Sequence, residues 1–208
     1  MPLLIGEFLY ELRAALDNCL FEVAVRHSGK CPPPGAGVLQ FPIYDDRKAW
    51  KDNLYRLKYL SDEHRTMLER IQPFNAQRQD LNCLSILNRL ARSDRHRALH
   101  LVGGFLVEGG LLIEAPKGSQ LTEIHKTDQR VVDRDAEIAT FRVSSWTPGQ
   151  VVDHLPELTL EVEISEMATD RPWGPLDRRL QALHRAVREY TDGLAAYALG
   201  MTELDPEA

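Results

Sequence analysis

Apolar residues recur at helical spacing over residues 3–26, where Ile5, Phe8, Leu9, Leu12, Leu16, Cys19, Leu20 and Val23 trace an i, i+3, i+4, i+7 stripe. This predicts an amphipathic helix closed by His27, Ser28 and Gly29. The segment CPPPGAG, residues 31–37, has to be a loop, because consecutive prolines have no N–H to give to a helix or sheet. It reads as a rigid spacer, with a PxxP-type partner motif as the alternative. Residues 38–44 (VLQFPIY) predict a short extended stretch that Pro42 confines to an edge or to irregular chain. Helical spacing resumes with Trp50, Leu54, Leu57 and Leu60. Ser61 then caps a turn carrying Met67, Leu68 and Ile71, which stops at Pro73. A further helix is expected to start at Asp80, a favoured cap residue, with Leu81, Leu84, Leu87, Leu90 and Ala91 on one side.

Near Leu99 the period changes to two. The runs LHLVGGFLV and LLIEA flank Glu108, Gly109 and Gly110, which predicts a hairpin turning at the glycines. Gly103 and Gly104 are read as a bulge or a site of tight packing. A second hairpin is expected around Asp133, Arg134 and Asp135, joining the run before Val132 to residues 137–143. Leu158, Leu160, Val162 and Ile164 alternate with Glu157, Thr159, Glu161 and Glu163, as in a strand with one buried and one wet face. Helical spacing returns over residues 176–199, with Leu176, Leu180, Leu183, Val187, Tyr190 and Leu194 on one side. The expected fold is therefore α+β: a helical bundle with a small antiparallel sheet inserted before a C-terminal helix. It is read as one domain over 1–208, with a helical part at 1–98, a β-rich part at 99–165 and a closing helix at 176–199 that returns to the first helices to bury its stripe.

A chain of 208 residues, 43% apolar and 27% charged, is long enough to build its own core, so disorder as the main state is excluded. Three cysteines, Cys19, Cys31 and Cys83, cannot all pair and none sits in a zinc-type spacing, so reduced thiols and no structural metal are expected. The first residues lack a basic stretch and reach Glu7 early, unlike a secretory signal, and no apolar run is long enough to span a bilayer. A cytoplasmic location without membrane contact is the resulting expectation. Charge is uneven: residues 1–100 carry 15 Lys and Arg against 12 Asp and Glu, whereas residues 101–208 carry 10 against 19.

The densest polar run is RLARSDRHRALH, residues 89–100, with Arg89, Arg92, Arg95 and Arg97 opposed only by Asp94. Guanidinium groups grip phosphate oxygens through paired hydrogen bonds, so the run is a candidate phosphate patch; the competing reading is a solvated helix end favoured by the macrodipole. Arg13 and Asp17, i, i+4 neighbours on the first helix, are expected to meet Asp94, His96 and Arg97 in one polar cluster, either a clamp fixing helix register or a binding pocket. Asp94, His96 and His100 supply no HExxH arrangement, and the adjacent arginines repel a cation, so no metal is expected. There is no GxSxG or SxxK nucleophile motif, no GxGxxG and no P-loop, so no cofactor is assigned. The stretch from Asp153 to Asp170 holds six carboxylates and no Lys or Arg; Glu161 and Glu163 are placed on its wet face, guarding an edge.

Within the basic run, Arg95, a polar residue and His100 resemble the arginine–histidine signature of the HEPN family. That resemblance implies a helical, metal-independent endoribonuclease, commonly a homodimer and found in toxin or phage-defence systems. Arg95 would stabilise charge on the phosphorus, and His100 would move the proton of the 2′-hydroxyl or of the leaving oxygen. The pieces GEFLYELRAALDN at 6–18, FPI at 41–43, IQPF at 71–74 and LNRLARSDRHR at 87–97 are similar to a group of uncharacterised bacterial proteins, a resemblance that implies architecture and no activity. The leading expectation is a binding or interaction protein built around the Arg/Asp/His cluster. RNA is the partner implied by the alternative.

Overall fold

The stripe over residues 3–26 does form a helix, and it organises everything around it. In the computed structural model α1 (Pro2–Ser28) buries Leu9, Leu16 and Leu20 completely and Ile5, Leu12, Val23 and Ala24 nearly so. Each such leucine withdrawn from water contributes about 2 kcal/mol. Described are residues 2–96, 101–126, 130–131, 136–164, 171 and 173–200. They belong to two compact units, Met1–Leu99 with Pro172–Ala208, and His100–Arg171. The switch of period near Leu99 marks that division.

The first unit is the helical bundle. After α1 come α2 (Arg47–Asn53), extended by a 3-10 turn over Leu54–Leu57, then α3 (Asp62–Arg70), α4 (Cys83–His96) and α5 (Leu176–Ala198). Both α1 and α4 pack against α5, so the closing helix returns to the first ones as its stripe requires. Leu176, Leu183, Val187 and Leu194 are buried there, whereas Leu180 and Tyr190 are only partly covered. Cys19 and Thr191 meet side by side, the thiol donating to the Thr191 carbonyl at 3.5 Å. The spacer loop turns at Gly35, whose φ of +75° suits glycine, and a Cβ there would lie 2.7 Å from the Tyr59 ring.

Ser61 caps α3 as expected, accepting from the His64 N–H. The start of α4 differs from expectation. Asp80 sits in a 3-10 turn, Gln79–Leu81, and pairs with Arg78; the cap of α4 is Asn82, whose Oδ1 accepts from the Leu84 N–H at 2.9 Å and the Ser85 N–H at 3.3 Å. Both residue types suit a cap, but an aspartate already held by an arginine two residues away is engaged elsewhere.

The second unit holds small antiparallel sheets and completes the α+β class. β1 (Leu101–Glu114) lies between β3 (Arg130–Val131) and β5 (Asp153–Ile164), and β2 (Gln120–Lys126) pairs separately with β4 (Ala139–Ser144). Two expectations are corrected here. Gly109 and Gly110 are not a turn: β1 runs straight through them, opposite Leu158 and Glu157, because β5 is long enough to pair on both sides of the glycines. The second hairpin does pair as expected: β2, in the run before Val132, lies antiparallel to β4, with Lys126 opposite Ala139, while its turn residues Asp133, Arg134 and Asp135 lie outside the described residues. The alternation of β5 does not hold: Leu158 and Leu160 are exposed like Glu157 and Thr159 beside them, whereas at the end of the strand Glu163 and Ile164 are both fully buried. Gly103 and Gly104 do coincide with a shift of register between Val102 and Phe105, the signature of a bulge.

Candidate functional site

Residues 41–44, FPIY, form no strand; they cross the bundle as an irregular strap whose backbone polar groups are satisfied by side chains. Arg13 and Asp17, one turn apart on α1, grip Phe41 from both sides. The Arg13 guanidinium donates to the Phe41 carbonyl at 2.5 Å, and the Phe41 N–H donates to Asp17 Oδ1 at 2.8 Å. Arg13 is buried and lies 3.6 Å from the Asp17 carboxylate. Gln72 holds the other end. Its Oε1 accepts from the Tyr44 N–H at 3.0 Å, while its Nε2 donates to the Pro42 carbonyl at 3.0 Å and to the Leu68 carbonyl of α3 at 2.8 Å. Phe41 and Ile43 then enter the core, and Tyr44 meets the buried Trp50 edge to face at 6.4 Å.

The strap also sets where α2 begins. Asp46 caps that helix by accepting from the Ala49 N–H at 2.8 Å, which fixes Asp45 on the rim of a cleft beside α4. The cleft has a volume of about 540 Å³. Its α4 wall is the polar face of that helix, Ser85, Asn88, Arg89, Arg92 and Ser93, and the facing wall is Gln79, Asp80 and Asp45. This arrangement comes from the sequence: Leu84, Leu87, Leu90 and Ala91 claim the core side of α4, so the residues between them must face outward. Arg89 and Arg92 are exposed and make no hydrogen bond or ion pair among the described residues. The Asp80 carboxylate is held low in pKa, first by its hydrogen bond from Arg78, so its charge is already matched. Among the described residues the cleft thus offers two guanidinium groups outside any ion pair, of which Arg89 also helps to lower the Asp80 pKa, against one open carboxylate, Asp45.

The polar cluster expected from sequence is brought together only in part. Arg13 and Asp17 are neighbours, but the group they hold between them is the Phe41 backbone. Asp94, Arg95 and His96 lie on the last turn of α4 with side chains outside the described residues, and Arg97 and His100 lie outside them altogether. Two groups of buried polar side chains escaped the sequence reading. The first is His64, whose Nδ1 sits 2.7 Å from Ser61 Oγ and whose ring meets Tyr197 edge to face at 5.1 Å and His27 at 6.2 Å. Burial, then the nearby His27, pushes its pKa below the ordinary imidazole value. The capping spacing Ser61-x-x-His64 was the available signal. The second lies in the sheet unit: Arg171 Nε donates to Glu163 Oε2 at 3.0 Å, its NH2 group pairs with Glu161, and the guanidinium stacks 4.1 Å over Phe105. Glu163 is therefore not on a wet face; the first cation beyond the acidic stretch neutralises it.

Among the described residues no three His, Cys, Asp or Glu side chains converge as a metal site would require, and no helix is long and apolar enough to cross a membrane. Comparison of the chain with protein-family models, curated proteins and solved structures finds no match.

Proposed function

We propose that this chain is a binding protein whose α4 cleft takes a phosphate ester bearing hydroxyl groups, such as a nucleotide or a sugar phosphate. The observation that carries the reading is the pair Arg89 and Arg92, one turn apart, unpaired among the described residues, and lining the same cleft. Guanidinium groups bind phosphate in bidentate fashion, and a surface arginine without a partner breaks no ion pair when a ligand recruits it. Asp45 across the cleft suits the hydroxyl donors of a ribose or sugar, and a volume of about 540 Å³ lies in the range of small-molecule sites. Arg13, Asp17 and Gln72 serve the site at one remove, because they hold the strap that positions Asp45.

Calorimetric titration with AMP and with inorganic pyrophosphate tests this. Wild type is expected to bind both, Arg89→Ala and Arg92→Ala each to weaken both at least tenfold, and Asp45→Asn to weaken AMP alone. Absence of binding to either probe, or affinity unchanged in both arginine variants, overturns the proposal. The ribonuclease alternative predicts metal-independent cleavage of a single-stranded RNA, abolished by His100→Ala; intact RNA rejects it.

A further inference from the structure

A second feature, independent of the α4 cleft, lies on the outer seam between α1 and α5. Phe8 of α1 and Leu180, Gln181, His184, Arg185 and Arg188 of α5 line a hollow of about 570 Å³. Its floor is apolar and its α5 rim is basic. Leu180 belongs to the apolar stripe of α5, yet it is only partly covered within the bundle. On α1, Leu3 and Leu4 are 73% and 66% exposed, beside Glu7 and Glu11, which are exposed as well. Glu7, Glu11 and Arg185 make no ion pair among the described residues, and Arg188 is held only by an exposed contact to Asp192 at 3.5 Å. One helix of the seam thus presents apolar side chains flanked by carboxylates, and its neighbour presents apolar side chains flanked by positive charge.

We infer that this α1/α5 face is the interface of a homodimer, with α1 of one copy lying over α5 of the other. Self-complementarity is the ground. Phe8 lines a hollow with residues 180–188 and Cys19 meets Thr191, so the two helices run parallel, with Glu11 near the level of Arg185 and Glu7 about one turn before it. A two-fold axis running along the seam carries α1 onto α5 of the partner at the same height. That operation sets Glu11 against Arg185 twice, once on each side of the axis, with Glu7 and Arg188 flanking the pair, and places Leu4 at the edge of the hollow floored by Phe8 and Leu180. The alternative axis, across the seam, would lay α1 against α1 and put like charges together, so charge selects the first arrangement. The area suffices: α5 has 23 residues. Two helices of that length side by side give a face about 35 Å long and about 20 Å wide. That is roughly the 800 Å² per partner that stable complexes bury.

Light scattering coupled to size exclusion reads the result directly. Wild type is expected at twice the chain mass of 23.6 kDa, and Leu4→Asp at the monomer mass with an unchanged far-ultraviolet circular dichroism spectrum. Two charge-reversed chains complete the test. Glu7→Arg/Glu11→Arg and Arg185→Glu/Arg188→Glu are each expected to be monomeric alone and to form a heterodimer when mixed. A wild type that stays monomeric at 100 µM, a Leu4→Asp variant that remains dimeric, or reversed chains that fail to associate on mixing would each overturn the inference.

Discussion

Replacing Gln72 by leucine keeps most of the side-chain volume and removes every hydrogen bond it makes. The residue is 1% exposed. Three backbone groups then lose their partner at once: the Tyr44 N–H, the Pro42 carbonyl and the Leu68 carbonyl. The Leu68 carbonyl is a last-turn acceptor of α3, where the Gln72 N–H goes to Glu69 instead. A buried donor or acceptor left unsatisfied costs about 1–3 kcal/mol, so the substitution is expected to cost at least about 3 kcal/mol. That is a large fraction of the about 5–15 kcal/mol of a typical domain. Asn75 supplies the control, because its Nδ2 donates to the neighbouring Glu69 carbonyl at 2.7 Å in an exposed setting. Water replaces that bond, and Asn75→Ala should cost under about 1 kcal/mol. Urea unfolding followed by Trp50 fluorescence, with Trp146 and Trp173 replaced by Phe, reads both variants, since Trp50 packs on the strap through Tyr44. A difference between the two variants below about 1 kcal/mol refutes the argument that burial gives the Gln72 bonds their weight.

The other buried polar groups give two further expected outcomes. His64 has its folded pKa lowered by burial and then by His27, so the unfolded chain binds a proton more readily than the folded one. Its stabilising contribution is complete above the unfolded value of about 6.5 and is lost as pH falls through the folded value; melting temperatures between pH 8 and pH 5 should drop toward acid in wild type and much less in His64→Phe, and an equal drop in both contradicts it. Arg171→Met leaves the fully buried Glu163 without that cation and should destabilise the sheet unit by about 3 kcal/mol or more. Glu161→Gln, at a partly exposed position, should cost under about 1 kcal/mol; hydrogen exchange in β1 and β5 measures both, and equal protection losses reject the assignment.

Periodicity made the helices legible. A buried face must repeat every three to four residues, and that constraint is written into α1, α4 and α5 wherever neighbours lie on both sides. The sheets were less legible for a physical reason. A glycine pair inside an apolar run is compatible with a turn or with a strand, and only the length of the opposing strand decides; β5 supplied that length for Gly109 and Gly110. Glu163 reads as solvent-facing by alternation because its partner, Arg171, lies eight residues further on, beyond any local period. The arginines of α4 were marked by composition, and the structure adds that Arg89 and Arg92 share a cleft. Arg13 and Asp17 were marked as a pair, but a side chain gripping a backbone leaves no pattern, so Phe41 and Gln72 could not be read as the other half of the clamp.

Apolar residues on α1 cover more of its perimeter than one buried face needs. A helix with apolar side chains on several sides requires several neighbours. Ile5, Leu9, Leu12, Leu16 and Leu20 are covered by the bundle, and Arg13 and Asp17 bind the strap on the adjoining side. Phe8 and Cys19 turn toward α5. Leu3 and Leu4 stay largely exposed. They share their end of α1 with carboxylates that have no ion-pair partner among the described residues, Glu11 lying near the level of Arg185 on α5. An apolar, acidic surface beside an apolar, basic one can be satisfied by a copy of itself, so the proposed dimer would account for the residues that blur the amphipathic pattern of α1.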